Sequence, residues 1–196
     1  MRKLLFFCCL TATLALHAQD SLQSSRPEVL FETTEGNIRI QLFNETPRHR
    51  DNFLRLVSEH FYDSLLFHRV IPNFMIQCGD PESRHAEPGA HLGGGDLPYK
   101  IEPEILPDVR HVYGSVAAAR LGDNINPRRL SSASQFYIVT NRRGTPHLDG
   151  GYTVFGQVTE GMDVADRIQR KIRDDDNRPV YDVRILRATV IRGNSK

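Results

Sequence analysis

The sequence predicts a mainly β protein, a barrel or sandwich of many short strands with only two helices. Three observations carry this. Short apolar segments alternate with polar residues at the two-residue period of strands. Only two stretches, near residues 47–59 and 161–172, place apolar residues on a helical stripe. Glycine and proline punctuate the chain, most densely over residues 79–98. Closure into a barrel would also remove the exposed edges of so strand-rich a chain.

The first strands form a hairpin. Leu30-Phe31-Glu32-Thr33 and Ile38-Arg39-Ile40-Gln41-Leu42 alternate or nearly so, and Glu35-Gly36-Asn37 between them supplies the glycine a tight bend needs. Thr46-Pro47 then reads as an N-cap residue followed by proline at the first helical position. Phe53, Leu54, Val57 and Phe61 share one stripe of a helix from Pro47 to Glu59. Strands follow over Leu65–Val70 and Phe74–Cys78, then an ordered loop region over 79–98. Further strands are predicted at Val112–Ala118, Gln135–Thr140, Thr153–Val158 and Val183–Ile191. The second helix runs from Gly161 to Ile172, with Val164, Ala165, Ile168 and Ile172 on its stripe. No repeat or second domain boundary is visible in the 196 residues, enough for one domain with a real core.

The N-terminus has its own logic. Arg2 and Lys3 precede a nearly uncharged apolar run from Leu4 to Leu16, and Leu16-His17-Ala18 places a small residue before Gln19. This is the three-part layout of a secretory signal, too short to span a bilayer comfortably. The same residues could instead form a core helix or a membrane anchor. Cleavage after Ala18 would leave residues 19–27 as a polar linker, 28–193 as the domain and 194–196 as a tail. It would also remove Cys8 and Cys9, and Cys78 alone cannot form an internal disulfide. Cys8 as a lipid-attachment site would have only the short Leu4–Phe7 segment before it.

Composition excludes several functions. With 24 acidic and 25 basic residues, scattered along the chain, no strong field favours nucleic acid or an anionic membrane. None of the histidines outside the signal (His49, His60, His68, His85, His91, His111, His147) stands at a paired ligand spacing, so no metal is expected. Gly93-Gly94-Gly95 lacks the Lys-Ser/Thr of a phosphate loop. Gly114-Ser115-Val116 lacks the glycine pattern of a nucleophile elbow, and Asp174-Asp175-Asp176 reads as a solvated run.

The informative stretch is Phe67-His68-Arg69-Val70-Ile71-Pro72-Asn73-Phe74-Met75-Ile76-Gln77-Cys78-Gly79-Asp80. Strand alternation puts Met75 and Gln77 on one face and Phe74, Ile76 and Cys78 on the other. A face of Met and Gln beside an arginine is a poor core; it reads either as a shallow binding surface or as a solvated sheet face. Three further segments accompany it in order: Gly114-Ser115-Val116-Ala117-Ala118-Ala119-Arg120, Ser134-Gln135-Phe136-Tyr137-Ile138, and His147-Leu148-Asp149-Gly150-Gly151-Tyr152-Thr153-Val154-Phe155-Gly156. Together these resemble the signature of cyclophilin-type peptidyl-prolyl cis–trans isomerases, over about Val29 to Ile191.

The resemblance implies a closed eight-stranded antiparallel β-barrel capped by two α-helices, with a packed interior and the site on an outer face. It implies Arg69 as the catalytic arginine, with Phe74, Met75, Tyr137 and Leu148 as the apolar pocket for the proline ring. Gln77 and Gln135 match polar groups around the substrate, and Ala119-Arg120 the edge that pairs with peptide backbone. The sequence departs from the family in places. Tyr137 stands for Phe, Ala118 for a common Met, and His147 for the Trp of cyclosporin-sensitive eukaryotic members. Tyr152 stands for His, so no histidine can act there, and Leu121–Ala133 is a longer surface excursion. His147 and Tyr152 are retained as substrate-binding positions.

The implied activity is cofactor-free rotation about Xaa–Pro bonds in proline-containing polypeptide clients, assisting folding. The chain is read as an exported bacterial member and a monomer, placed in the periplasm, with secretion or envelope association left open. The competing readings are a binding module that grips extended segments with little turnover, and a structural envelope domain with a dead site. Arg69, Phe74 and Gln77 together argue against the first, because binding alone needs no arginine, and the second has still less support.

Overall fold

The computed structural model describes residues 26–191. The expected signal segment 1–18 with Cys8 and Cys9, most of the linker and the tail 194–196 lie outside the described residues.

Alternating burial starts the fold. In β1 (Glu28–Thr33) Val29, Phe31 and Thr33 are buried, and in β2 (Gly36–Leu42) Ile38, Ile40 and Leu42. Gly36 takes φ +126°, where a side chain would be strained, and an added Cβ would press Val164 Cγ2 at 3.0 Å. The chain continues through β3 (Arg69–Ile71), β4 (Met75–Cys78), β5 (Lys100–Ile101), β6 (Ser115–Ala118), β7 (Ser131–Ser132), β8 (Phe136–Val139), β9 (Val154–Glu160) and β10 (Ile185–Ile191). One eight-stranded sheet has the order β10-β1-β2-β9-β6-β8-β4-β3, antiparallel throughout, and β5 pairs with β7.

The sheet curls until its edge segments meet. Ser64 and Phe67 N–H donate to the Ile185 and Val183 carbonyls at 2.8 and 2.9 Å, and Ile185 N–H donates to Leu65 at 2.9 Å. Leu66 and Arg184 form an isolated antiparallel bridge there. The expected strand over 65–70 is therefore regular only from Arg69. Its first half forms this seam, and Leu66 N–H leaves the ladder for Ser83 Oγ at 3.1 Å. The short β5–β7 pair was not predicted; two-residue strands carry too little alternation to register.

Helix α1 (Pro47–Ser58) buries His49, Phe53, Leu56 and Val57, while Leu54 is only partly covered. The expected Thr46 side-chain cap does not form. A distant carboxylate replaces it: Glu104 accepts from Arg48 N–H and His49 N–H, both at 3.0 Å, and lies 2.6 Å from His49 Nδ1. Helix α2 is shorter than its stripe suggested, covering Met162–Ile168 with Val164, Ala165 and Ile168 buried. Ile172 is 73% exposed. Past the helix its carbonyl accepts from Val180 N–H at 2.9 Å, so the backbone turns away from the core before that residue.

Both helices feed one core. Phe31 stacks on Phe136 at 5.7 Å, and Phe53 meets Phe136 edge-on at 5.3 Å. Val164, Ala165 and Ile168 belong to the same cluster. With the interior filled, only the outer faces of the sheet are left for a site.

Candidate active site

Strand β4 divides its side chains as alternation requires. Ile76 and Cys78 join the core, and burial pushes the Cys78 thiol well up, leaving it unreactive. Met75 joins Ala117, Tyr137, Val139 and Val154 in a second apolar cluster on the opposite face. Phe74 corrects the strict alternation. It packs with Met75, not with Ile76 and Cys78, because it sits in a turn before the strand, after Asn73 at φ 56°. Leu148 and Tyr152 pack partly buried against the same cluster.

Arg69 and Gln77 are partners in the β3–β4 register. Arg69 Nη1 donates to Gln77 Oε1 at 3.3 Å, and Gln77 Nε2 donates to Gln135 Oε1 at 2.8 Å. Gln135 Nε2 in turn donates to the Gly93 and Gly95 carbonyls. The guanidinium is thus held at one end of an amide chain anchored in backbone. Half-burial pulls its affinity for a proton down, with Tyr152 opposing, yet an arginine stays charged at neutral pH.

These groups line a groove of about 470 Å³. Arg69, Phe74, Met75, Gln77, Ala119, Arg120, Tyr137, Leu148 and Tyr152 all face it. Gln135 lines an adjoining concavity of about 320 Å³ that shares Gln77, Ala119 and Arg120. His147 is exposed at the margin, stacked on Phe74 at 5.6 Å. The Ala119-Arg120 pair divides. Ala119 N–H and C=O are taken internally by Gln135 and Ser132 at 2.9 and 2.8 Å, so only Arg120 keeps backbone groups for a peptide. The Arg120 side chain lies 4.4 Å over the Tyr152 ring and donates to Gly151 C=O at 2.6 Å.

The loop read only as ordered forms the opposite wall. Ala90 to Gly94, with Asp176 and Arg178, line the groove. Buried Arg178 clamps this loop through the Glu87 and Ala90 carbonyls at 3.1 and 2.6 Å, so the aspartate run leads into an anchor. The triple glycine turns its amides inward to a carboxylate: Asp80 Oδ2 accepts from Gly93 and Gly95. A Cβ on Gly95 would collide with Asp80 and with Glu82 Cγ at 2.9 Å. The excursion expected over 121–133 stops at Leu130, because Ser131–Ala133 are buried.

Sequence reasoning missed His111 and Asp149. Tyr137 is 5% exposed, and its hydroxyl lies 3.1 Å from His111 Nε2, whose Nδ1 is 2.9 Å from Asp149 Oδ1. The unusual tyrosine was the available signal, since a buried phenol requires a partner. His68, also unassigned, lies buried beneath Gly93 and lines the groove. No group of three His, Cys, Asp or Glu is arranged to hold a metal among the described residues.

A curled antiparallel sheet with a filled core thus carries, on its outer face, a groove that sets apolar side chains beside the tethered guanidiniums of Arg69 and Arg120. Residues 28–190 match the family model described as cyclophilin type peptidyl-prolyl cis-trans isomerase/CLD. A peptidyl-prolyl cis-trans isomerase-like 1 of Aspergillus fumigatus is 38% identical over 167 residues, covering 84% of this chain and 95% of the relative. A peptidyl-prolyl cis-trans isomerase of Arabidopsis thaliana is 36% identical, covering 86% and 96%. The crystal structure of a Cryptosporidium parvum cyclophilin type isomerase superposes with a TM-score of 0.72 at 25% identity, covering 86% of this chain and 99% of that one. The chain belongs to the cyclophilin-type peptidyl-prolyl cis–trans isomerase family, whose enzymes need no cofactor.

Proposed function

We propose that Arg69 drives the isomerisation by stabilising the twisted prolyl amide, while Phe74, Met75, Tyr137 and Leu148 hold the proline ring. A planar amide resists rotation by about 18–20 kcal/mol because resonance ties up the nitrogen lone pair. Twisting breaks that resonance and leaves the proline nitrogen pyramidal and basic. An Arg69 N–H can donate to this nitrogen in the twisted state and gains little from the planar one, which is differential transition-state binding. No proton is transferred and no covalent bond forms. Arg120 backbone groups and the amides of Gln77 and Gln135 would hold the residues before proline.

The observation that carries this reading is the tether from Arg69 through Gln77, which keeps a charged fork at the rim of the apolar groove. The test is Arg69→Ala in an assay of prolyl-peptide isomerisation. Turnover should fall about 10²- to 10³-fold, the usual loss for one transition-state donor, with the fold kept. Near-native turnover in a folded variant overturns the mechanism. A Cryptosporidium relative crystallised in the presence of the dipeptide Ala-Pro supports proline-containing peptides as the ligand class.

The same reading takes the enzyme as an exported bacterial monomer acting on unfolded clients in the periplasm. The Arg2-Lys3, Leu4–Leu16 and Leu16-His17-Ala18 layout supports the export part of this reading. A mature N-terminus at Gln19 in the periplasmic fraction, with a monomeric sedimentation coefficient, is the expected result. Unprocessed cytoplasmic protein would refute export.

A further inference from the structure

A pair of residues, His111 and Asp149, stands directly behind the proposed proline pocket, and the mechanism above makes no use of either. The Tyr137 ring lines the groove, but its hydroxyl turns away to His111 Nε2 at 3.1 Å. His111 Nδ1 lies 2.9 Å from Asp149 Oδ1, and the same oxygen accepts the His111 backbone N–H at 2.8 Å. The His111 carbonyl accepts from Thr145 N–H at 2.8 Å, so backbone and ring are both fixed. A carboxylate only accepts, which puts the imidazole proton on Nδ1 and leaves Nε2 to accept the phenol proton. The two rings lie nearly parallel, 11° apart. Tyr152 meets the Tyr137 ring edge-on at 6.0 Å.

We propose that His111, oriented by Asp149, is a positioning residue of the isomerase site: it takes the Tyr137 hydroxyl proton out of the groove and holds the phenol ring as an apolar floor. The inference rests on the groove being the proline site. Its content is that a tyrosine serves in place of a phenylalanine here only because an acceptor waits behind it. Without that acceptor the buried hydroxyl is unsatisfied. It must then turn toward the groove or carry the ring with it, and either displaces the proline.

The groups around the imidazole set its state. Burial holds His111 below the ordinary imidazole value, with the bonded Asp149 opposing and His147 adding to the shift. Arg110 lies 3.8 Å from the other Asp149 oxygen, Tyr152 is edge-on to the His111 ring at 6.3 Å, and Arg120 covers Tyr152. Neutral His111 at pH 7 accepts from Tyr137; once protonated it cannot.

The test is a double-mutant cycle on the full chain, read as kcat and KM for a prolyl peptide. His111→Leu should raise KM about five- to tenfold with a smaller change in kcat, the order of one lost hydrogen bond. His111→Gln, which can both donate to Asp149 and accept from the phenol, should recover most of the loss. In the Tyr137→Phe background, His111→Leu should change KM less than about twofold, because the proton to be held is gone. KM of the unaltered protein should rise as the pH falls below the ordinary imidazole range, a rise that Tyr137→Phe removes. Equal effects of His111→Leu in both backgrounds, or the same acid rise in KM with Tyr137→Phe, overturn the proposal. If His111→Leu fails to fold, the acid profile with and without Tyr137→Phe decides. Arg69→Ala, run alongside, separates the two failures: an inactive Arg69→Ala protein with no coupling between His111 and Tyr137 sinks the positioning role alone.

Discussion

Arg69 and Gln77 face each other across β3 and β4, and an Arg69 Nη1–H donates to Gln77 Oε1 at 3.3 Å. Gln77 is also held by Gln135 at 2.8 Å, so the arginine is positioned from the loop at Gly93 and Gly95 inward. The tether aims the guanidinium without neutralising it, which a carboxylate at the same place would do.

Gln77→Ala should therefore lower kcat/KM about tenfold, the scale of one lost orienting hydrogen bond, with thermal stability nearly unchanged. Gln77→Glu should lower it further, since an ion pair holds the guanidinium back from the substrate. Steady-state kinetics on both variants checks the order. Full activity in Gln77→Glu would show that the tether has no part in turnover.

Glu104 acts on stability instead. It satisfies two N–H groups at the start of α1 and bonds the buried His49 ring, whose Nε2 lies 2.9 Å from Ser131 Oγ. Glu104→Ala should cost about 2–3 kcal/mol, a lost cap together with a buried imidazole left half-paired. Denaturant unfolding reads this directly, and a midpoint equal to that of the unaltered protein would discount the cap.

Acid should loosen the protein through His68. Burial lowers this imidazole from 6.5 to about 4, with Asp80 opposing. The unfolded chain then binds a proton that the folded chain refuses, so the stabilisation is full above pH 6.5 and is lost as the pH falls toward 4. The gap amounts to about 3 kcal/mol. Unfolding free energies between those limits should show the decline, and His68→Leu should make it shallower, with buried His49 and His111 supplying what remains. An unchanged slope in His68→Leu would assign the acid lability elsewhere.

Cyclosporin binding should be weak. His147 is exposed and stacked on Phe74 at the groove margin, the position at which the family resemblance implies the tryptophan of cyclosporin-sensitive members. Losing the larger apolar ring and its N–H donor costs about 1.5–3 kcal/mol. That corresponds to roughly ten- to a hundredfold in affinity. His147→Trp should raise inhibitor affinity by that factor, because it sets a larger apolar ring beside Phe74 at the groove margin. Inhibitor titration decides, and tight inhibition of the unaltered protein would place the drug's contacts elsewhere.

Much of this molecule is legible in its local patterns. Alternation in Leu30–Thr33 and Ile38–Leu42 is a one-body property of each strand, and it was enough to read the hairpin, whose core face the structure then supplies. The same rule separated Met75 and Gln77 from Ile76 and Cys78, and four ordered segments pointed to the family and to the groove residues. It failed at Phe74, which follows a left-handed Asn73 in the turn before the strand, and the helical stripe failed at Ile172, which lies past the end of its helix. Tertiary structure alone decided the rest, because those contacts join residues far apart in the chain. Glu104 caps a helix begun at Pro47, and Gly95 anchors a chain of amides ending at Arg69. His111 meets Tyr137 across 26 positions and Asp149 across 38. Sequence periodicity reports which face of an element is apolar. It carries no information on which distant polar group will be brought to satisfy a buried donor, and here those pairings shape the site.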